Sequence, residues 1–163
     1  MHELRLQDRF YHPHWLAFLM SGLSQIKVSV VSGKAAQIAP QEWDVTLQLD
    51  FRGSVTVPER VDFRALTEKT AVLDANSIQL NSYLITRRFD KAIEVHIQGL
   101  DQLGFLGRFL TKVSLLALYP IEVKIGTVGG RISDQIVLNG LGNSPPSEEQ
   151  QAALDSMLRM MKA

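Results

Sequence analysis

The stretch IEVHIQGLDQLGFLGRFLTKV, residues 93–113, changes its apolar spacing once, and that change decides the fold. Ile93, Val95 and Ile97 alternate with Glu94, His96 and Gln98, the two-residue period of a strand with one buried face. Beyond the turn at 99–104 the period shifts. Phe105, Leu106, Phe109, Leu110, Val113 and Leu116 recur every three or four residues, a stripe that only a helix gathers on one side. Pro120 is expected to close that helix, because it lacks an N–H and clashes with the preceding turn.

Reading outward, Ile121, Val123 and Ile125 begin a second alternating strand, Gly129-Gly130 supplies a tight hairpin turn, and Ile132, Ile136 and Leu138 lie in a third strand. After a turn-rich stretch, Ser147 and Gln150 form a capping-box signature. Glu148 and Glu149 suit the positive end of a helix dipole, and Leu154, Met157, Leu158 and Met161 make the helix's apolar face. The second half therefore reads β-α-β-β-α.

The first half repeats this order. Leu4 and Leu6 lie in a strand, and Pro13 opens a helix with a stripe at Trp15, Leu16, Leu19, Met20, Leu23 and Ile26. The first five of these stand ninety positions before Phe105, Leu106, Phe109, Leu110 and Val113; Asp44 and Asp134 keep the same offset. Val28 and Val30 start a strand, and Val45, Leu47 and Leu49 sit in another. A short helix is expected over 59–69, a turn at Asp74, Asn76 and Ser77, and a strand over 78–86 that closes the first unit. The polar turn at 87–91 leads straight into the second half without a flexible linker. The expected fold is α+β: two fused ferredoxin-like βαββαβ units, residues 1–88 and 89–163, the second without its closing strand, their sheets joined edge to edge.

Composition narrows the function. The 163 residues suffice for a core without covalent staples. Lys and Arg number 17 and Asp and Glu 17, a balance that argues against a nucleic acid or an anionic membrane as main partner. With no cysteine there is no disulfide, thiolate metal site or thiol nucleophile. The polar N-terminus and the lack of a long apolar run lead to the expectation of a soluble, cytoplasmic protein.

Residues 93–138 resemble the ACT domain, a small ligand-sensing module. The likeness rests on Asp101-Gln102-Leu103-Gly104-Phe105-Leu106 after the first strand, then Ile121-Glu122-Val123, Thr127, the Gly129-Gly130 turn and Asp134. It covers about 50 residues well and the first half weakly. The resemblance implies a non-catalytic regulatory protein that senses an amino acid or other small carboxylate. Its site would lie where units pair, with Asp101, Leu103, Gly104, Phe105 and Leu106 as ligand-binding residues. It implies no cofactor, an unidentified target protein and a homo-oligomer. Physically, Gly104 has no Cβ, so backbone amides there can approach a ligand, and the first turn of the following helix favours a carboxylate. The bland alternative makes Asp101 a helix cap, Gly104 a turn residue, and Leu103, Phe105 and Leu106 core.

At the matching turn the first half has His12-Pro13-His14-Trp15, with His14 in the Gly104 position. An imidazole there is expected to block close approach, leaving His12, His14 and Trp15 as a vestigial site. His12 and His14, even with His2, make a poor metal set without a clear third ligand, and His96 on a polar strand face reads as solvent-facing. No nucleophile–base pair or phosphate loop is legible; Gly126, Gly129 and Gly130 join two strands and lack the lysine of a P-loop. An acylphosphatase-like loop arginine is missing, since Arg108 falls inside the helix. An RNA-binding sheet would carry stacking aromatics, and the strand at 131–139 has none. The competing reading is a protein-interaction or oligomerisation module that has lost its ligand.

Overall fold

Residues 1–70 and 78–162 are described by a computed structural model of the chain. Strand β1 (His2–Arg9) leads to helix α1 (Trp15–Gln25), then β2 (Ser29–Ala39) and β3 (Glu42–Asp50). A 3-10 turn at Pro58–Arg60 and the one-turn α2 (Phe63–Leu66) precede β4 (Ser82–Arg87). There follow β5 (Ile93–Leu100), α3 (Phe105–Ser114), β6 (Tyr119–Ile125), β7 (Thr127–Val128), β8 (Arg131–Asn139), a 3-10 turn at Leu141–Asn143, and α4 (Glu148–Met161). The class is α+β, with an eight-stranded antiparallel sheet in the order β1-β3-β2-β6-β8-β5-β4, and β7 paired to β8.

The two halves share this sheet. β2 and β6 pair with Gly33 opposite Ile125 and Ala35 opposite Val123, so the central ladder crosses from one half to the other. Alternation places Trp43, Val45, Leu47 and Leu49 of β3 and Ile93, Val95 and Ile97 of β5 on one buried face. The apolar sides of α1, α3 and α4 join the same contiguous core.

Several elements differ from the sequence expectation. The segment over 59–69 splits, because Val61 is extended and Asp62 caps a new turn, its carboxylate accepting the Ala65 N–H at 3.0 Å. The turn expected at Asp74, Asn76 and Ser77 lies outside the described residues. The strand expected over 78–86 runs as Ser82–Arg87 and pairs with β5, Ser82 opposite Gln98 and Arg87 opposite Ile93, instead of closing the first half's sheet. The connection is short: Arg88 and Lys91 close it with backbone hydrogen bonds, and a hairpin orders few residues. The second half, expected to lack a closing strand, thus has the edge of β5 covered by the strand just upstream of it. β4 is then tied to α4: the Tyr83 hydroxyl donates to Asp155 Oδ1 at 2.8 Å, and Arg87 Nη1 donates to the Pro146 carbonyl at 2.7 Å. Nor does Pro120 end α3. The helix stops at Ser114, Ala117 takes φ +57°, and Pro120 enters β6 beside a register shift, where its missing N–H costs little. The capping box at Ser147 and Gln150 is present.

Helices α1 and α3 cross at very close range. A Cβ on Gly107 would stand 2.6 Å from Ser21 Oγ and 2.9 Å from the Ser21 amide nitrogen. Alanine in place of an interior helical glycine normally adds about 1 kcal/mol of helix stability, whereas overpacking costs about 1–3 kcal/mol. Because backbone atoms of Ser21 form part of the obstacle, the clash should win. Gly107→Ala is expected to lower the thermal midpoint in a calorimetric or circular-dichroism melt; an unchanged or higher midpoint would show that the crossing is loose.

Candidate functional site

β5 ends at Leu100, and the Asp101 N–H donates to the Gly130 carbonyl at 2.8 Å, pinning the next turn against the Gly129–Gly130 hairpin. Gly104 takes φ +80° at the N-cap of α3, a conformation that disfavours any side chain. Asp101 therefore does not cap this helix through its side chain; no side-chain hydrogen bond caps it. Arg108 reaches back, its Nη1 donating to the Leu103 carbonyl at 3.0 Å.

All five predicted ligand-binding residues, Asp101, Leu103, Gly104, Phe105 and Leu106, line one cleft. Its far wall comes from the first half: Met20 and Ser24 of α1, Val28 just before β2, and Val30 within it. Ile125, Thr127, Ile132 and Asp134 complete it. The cleft holds about 490 Å³ of space including its open mouth, on the scale of a small ligand. Phe105 and Leu106 are also core residues, at 3% and 8% exposure, so packing and lining coincide there.

The corner expected to be bare at Gly104 is filled. A Cβ at that position would lie 2.5 Å from Ser24 Oγ, so the missing side chain makes room for α1. What opens beside it is a polar cleft with two carboxyls. Asp134 is 2% exposed, and its Oδ1 accepts the Gly126 N–H at 3.2 Å. Burial pushes its carboxyl up to about 7; the Gly126 N–H opposes this and the Asp101 charge adds to it. Asp101, at the exposed mouth, is also raised by partial burial. The Thr127 hydroxyl is buried with no hydrogen-bond partner among the described residues. Thr127 and Asp134 belong to the motif that carries the ACT resemblance, yet neither was assigned to the site, and Ser24 had no signal in the sequence at all.

The histidine turn of the first half is built differently. A ring nitrogen of His12 lies 3.0 Å from the Thr67 carbonyl. His14 packs against Phe18 and, edge-on, Tyr119, with ring centroids 5.9 and 5.5 Å away; burial, then the neighbouring His12, holds its pKa below the usual value. Trp15 is stacked on Phe10 at 3.9 Å. His12 and Trp15 line a second opening, whereas His14 does not. Among the described residues no group of three or more His, Cys, Asp or Glu could hold a metal ion, and no helix is long and apolar enough to cross a membrane.

The matching of Asp44 to Asp134 fails in three dimensions. β3 buries Trp43, Val45 and Leu47, leaving Asp44 exposed, while β8 buries Ile132, Asp134 and Ile136. A one-residue slip sends equivalent side chains to opposite faces.

Asp134 makes stability depend on pH. Unfolded, its carboxyl titrates near 3.8; folded, it holds its proton up to about 7. The folded state binds the extra proton between those values, so this group's stabilising contribution is complete below about pH 4, falls as pH rises towards 7, and changes little above. Each pKa unit corresponds to about 1.4 kcal/mol, which sets the scale at a few kcal/mol. Asp134→Asn keeps an oxygen for the Gly126 N–H and removes the titration. The variant is expected to melt higher than the parent at pH 8 and to lose most of the parent's difference between pH 5 and pH 8. Compared with protein-family models, curated proteins and solved structures, the chain matches none, so what the cleft does follows from its own chemistry.

Proposed function

We propose that the chain is a non-catalytic regulatory protein that senses an amino acid through two ACT-like, ferredoxin-like units, the second with β4 standing in for its closing strand. The observation that carries this reading is the convergence of the turn at 101–106, the start of α3 and the buried Asp134 on one cleft between the halves. A simple carboxylate is poorly matched to two acidic side chains. A zwitterion is better matched. Its ammonium group faces Asp134 and Asp101, while its carboxylate takes the first-turn amides of α3, where Leu106 and Gly107 have no carbonyl four residues back inside the helix. The orphaned Thr127 hydroxyl supplies a further donor. The limited room favours a small side chain.

Binding at this place links α1 and β2 of one half to α3 and β8 of the other, so it biases how the halves pack and what surface they present to a target protein. A homodimer and a cytoplasmic setting belong to the same proposal; β1 and β4 end the sheet and leave strand edges for pairing. The interaction-module reading draws its support from Ser24 filling the Gly104 corner.

Calorimetric titration with glycine, alanine, serine and larger amino acids separates the two. Sensing predicts saturable heat from a small amino acid and none from acetate or methylamine alone. The affinity should rise between pH 6 and pH 8, as Asp134 ionises to receive the ammonium group, and Asp134→Asn should abolish that rise. Silence from every amino acid, with folded protein that still self-associates in sedimentation, overturns sensing in favour of the module.

A further inference from the structure

The opening beside the histidine turn is larger than the acidic cleft and has the opposite chemistry. It holds about 960 Å³ of space including its open mouth, against about 490 Å³ in the first. No Asp, Glu, Lys or Arg side chain lines it. Its walls are flat and apolar: Tyr11, Trp43 and Tyr119 are joined by the rigid rings of Pro13, Pro40 and Pro120. Trp43 meets Trp15 edge-on at 4.9 Å, and both are nearly fully buried, which fixes the indole planes. Tyr11, in contrast, is 70% exposed at the edge of the cleft. A polar rim completes the cleft. Asn143 Nδ2 donates to Gln37 Oε1 at 3.0 Å across it, which leaves the amide oxygen of Asn143 and the amide nitrogen of Gln37 as one acceptor and one donor side by side.

We propose that this cleft is a second binding site, for a flat, uncharged heteroaromatic ring that stacks between Tyr11 and the Tyr119 wall, over the edge of the buried Trp43, and presents a donor–acceptor edge to Gln37 and Asn143. Charge selects the class. An ion would meet no Asp, Glu, Lys or Arg, and the one histidine in the wall, His12, has a ring nitrogen committed to the Thr67 carbonyl, so its lost hydration is poorly compensated, whereas a neutral ring exchanges water for aromatic and proline surfaces. The adjacent amides then satisfy the ring's polar edge and set its orientation. This site stands on different residues from the acidic cleft, so it survives or fails independently of amino-acid sensing.

The chain's two tryptophans both line the cleft, which gives a direct reporter. With ¹⁵N-labelled protein, adenine as the probe should shift the Trp43 indole N–H resonance saturably at millimolar concentration, while benzoate, flat but charged, should not. Tyr11→Ala removes an exposed side chain and leaves the rest of the spectrum in place; it should weaken adenine binding about tenfold, the effect of one lost aromatic stacking partner. Asn143→Ala should weaken it too while leaving the response to a purely apolar ring, toluene, unchanged. Three results would each overturn the proposal: no saturable shift with adenine, equal response to benzoate, or a Tyr11→Ala protein that binds adenine as the parent does.

Discussion

The close crossing of α1 and α3 is the contact on which the remainder of the molecule depends. Two small residues on each side permit it: Ser21 and Ser24 face Gly107 and Gly104, with virtual Cβ distances too short for any side chain on the glycines. This approach sets how far each helix stands from the other half's strands, and so how wide the acidic cleft is. A bulkier pair would splay the helices, and dispersion contacts fall off steeply over a fraction of an ångström. The acidic cleft lies directly against the crossing, with Ser24, Gly104 and Gly107 all in its wall.

A second seam runs beneath the helices in the sheet. At the β2–β6 junction Lys34 stands opposite Lys124, a like-charge pairing that would repel. Glu122 lies between them, 3.9 Å from Lys34 and 3.7 Å from Lys124, and Arg88 approaches it at 3.8 Å. These are partly exposed pairs of small individual value. Their part is to make the antiparallel register of the junction tolerable, while Ala35 opposite Val123 carries the buried side of it. Core and seam together let two short halves, neither with a complete sheet of its own, close as one layer of strands under one layer of helices.

What was legible in the sequence followed from periodicity and local chemistry. The strand–turn–helix at 93–113, the Gly129-Gly130 hairpin and the Ser147–Gln150 cap are each fixed by residues within a few positions of one another, and they stand where expected. The lining of the cleft by 101–106 was legible for the same reason, since a turn before a helix at a unit boundary needs only local reasoning. What was illegible is non-local. Nothing within 82–87 states whether the strand pairs forward or backward; a five-residue turn held by Arg88 and Lys91 decides it. Ser24 carries no mark of its partnership with Gly104, some eighty positions away. Pro120 reads as a helix stop, but the helix ends earlier, at Ser114, and the chain turns towards β6 through a left-handed Ala117 that no side-chain pattern announces.

The repeat itself explains why two openings of related position differ so completely in chemistry. The ninety-residue offset holds through the helices, where Trp15 and Phe105 are both buried at the head of their helix. It fails in the third strand, where the buried series runs through odd numbers in β3 and even numbers in β8. With a period of two, that single-residue slip replaces one whole face by the other. Gly33 and Val123, each six residues past the left-handed residue that follows its helix, pair with Leu47 and Ile136, so the inward position that β8 gives to Asp134 falls in β3 to Val45, that of Ile132 falls to Trp43, and Asp44 turns to solvent. At the turn, Gly104 has become His14, which leaves its cleft and packs on Phe18 and Tyr119. A buried carboxyl in the second half thus stands where the first has Val45, the indole of Trp43 stands where the second has Ile132, and the glycine against which a serine packs is matched by a histidine ring. The same backbone plan yields one small polar cleft and one wide aromatic one because register, more than composition, decides which side chains face the space between the halves.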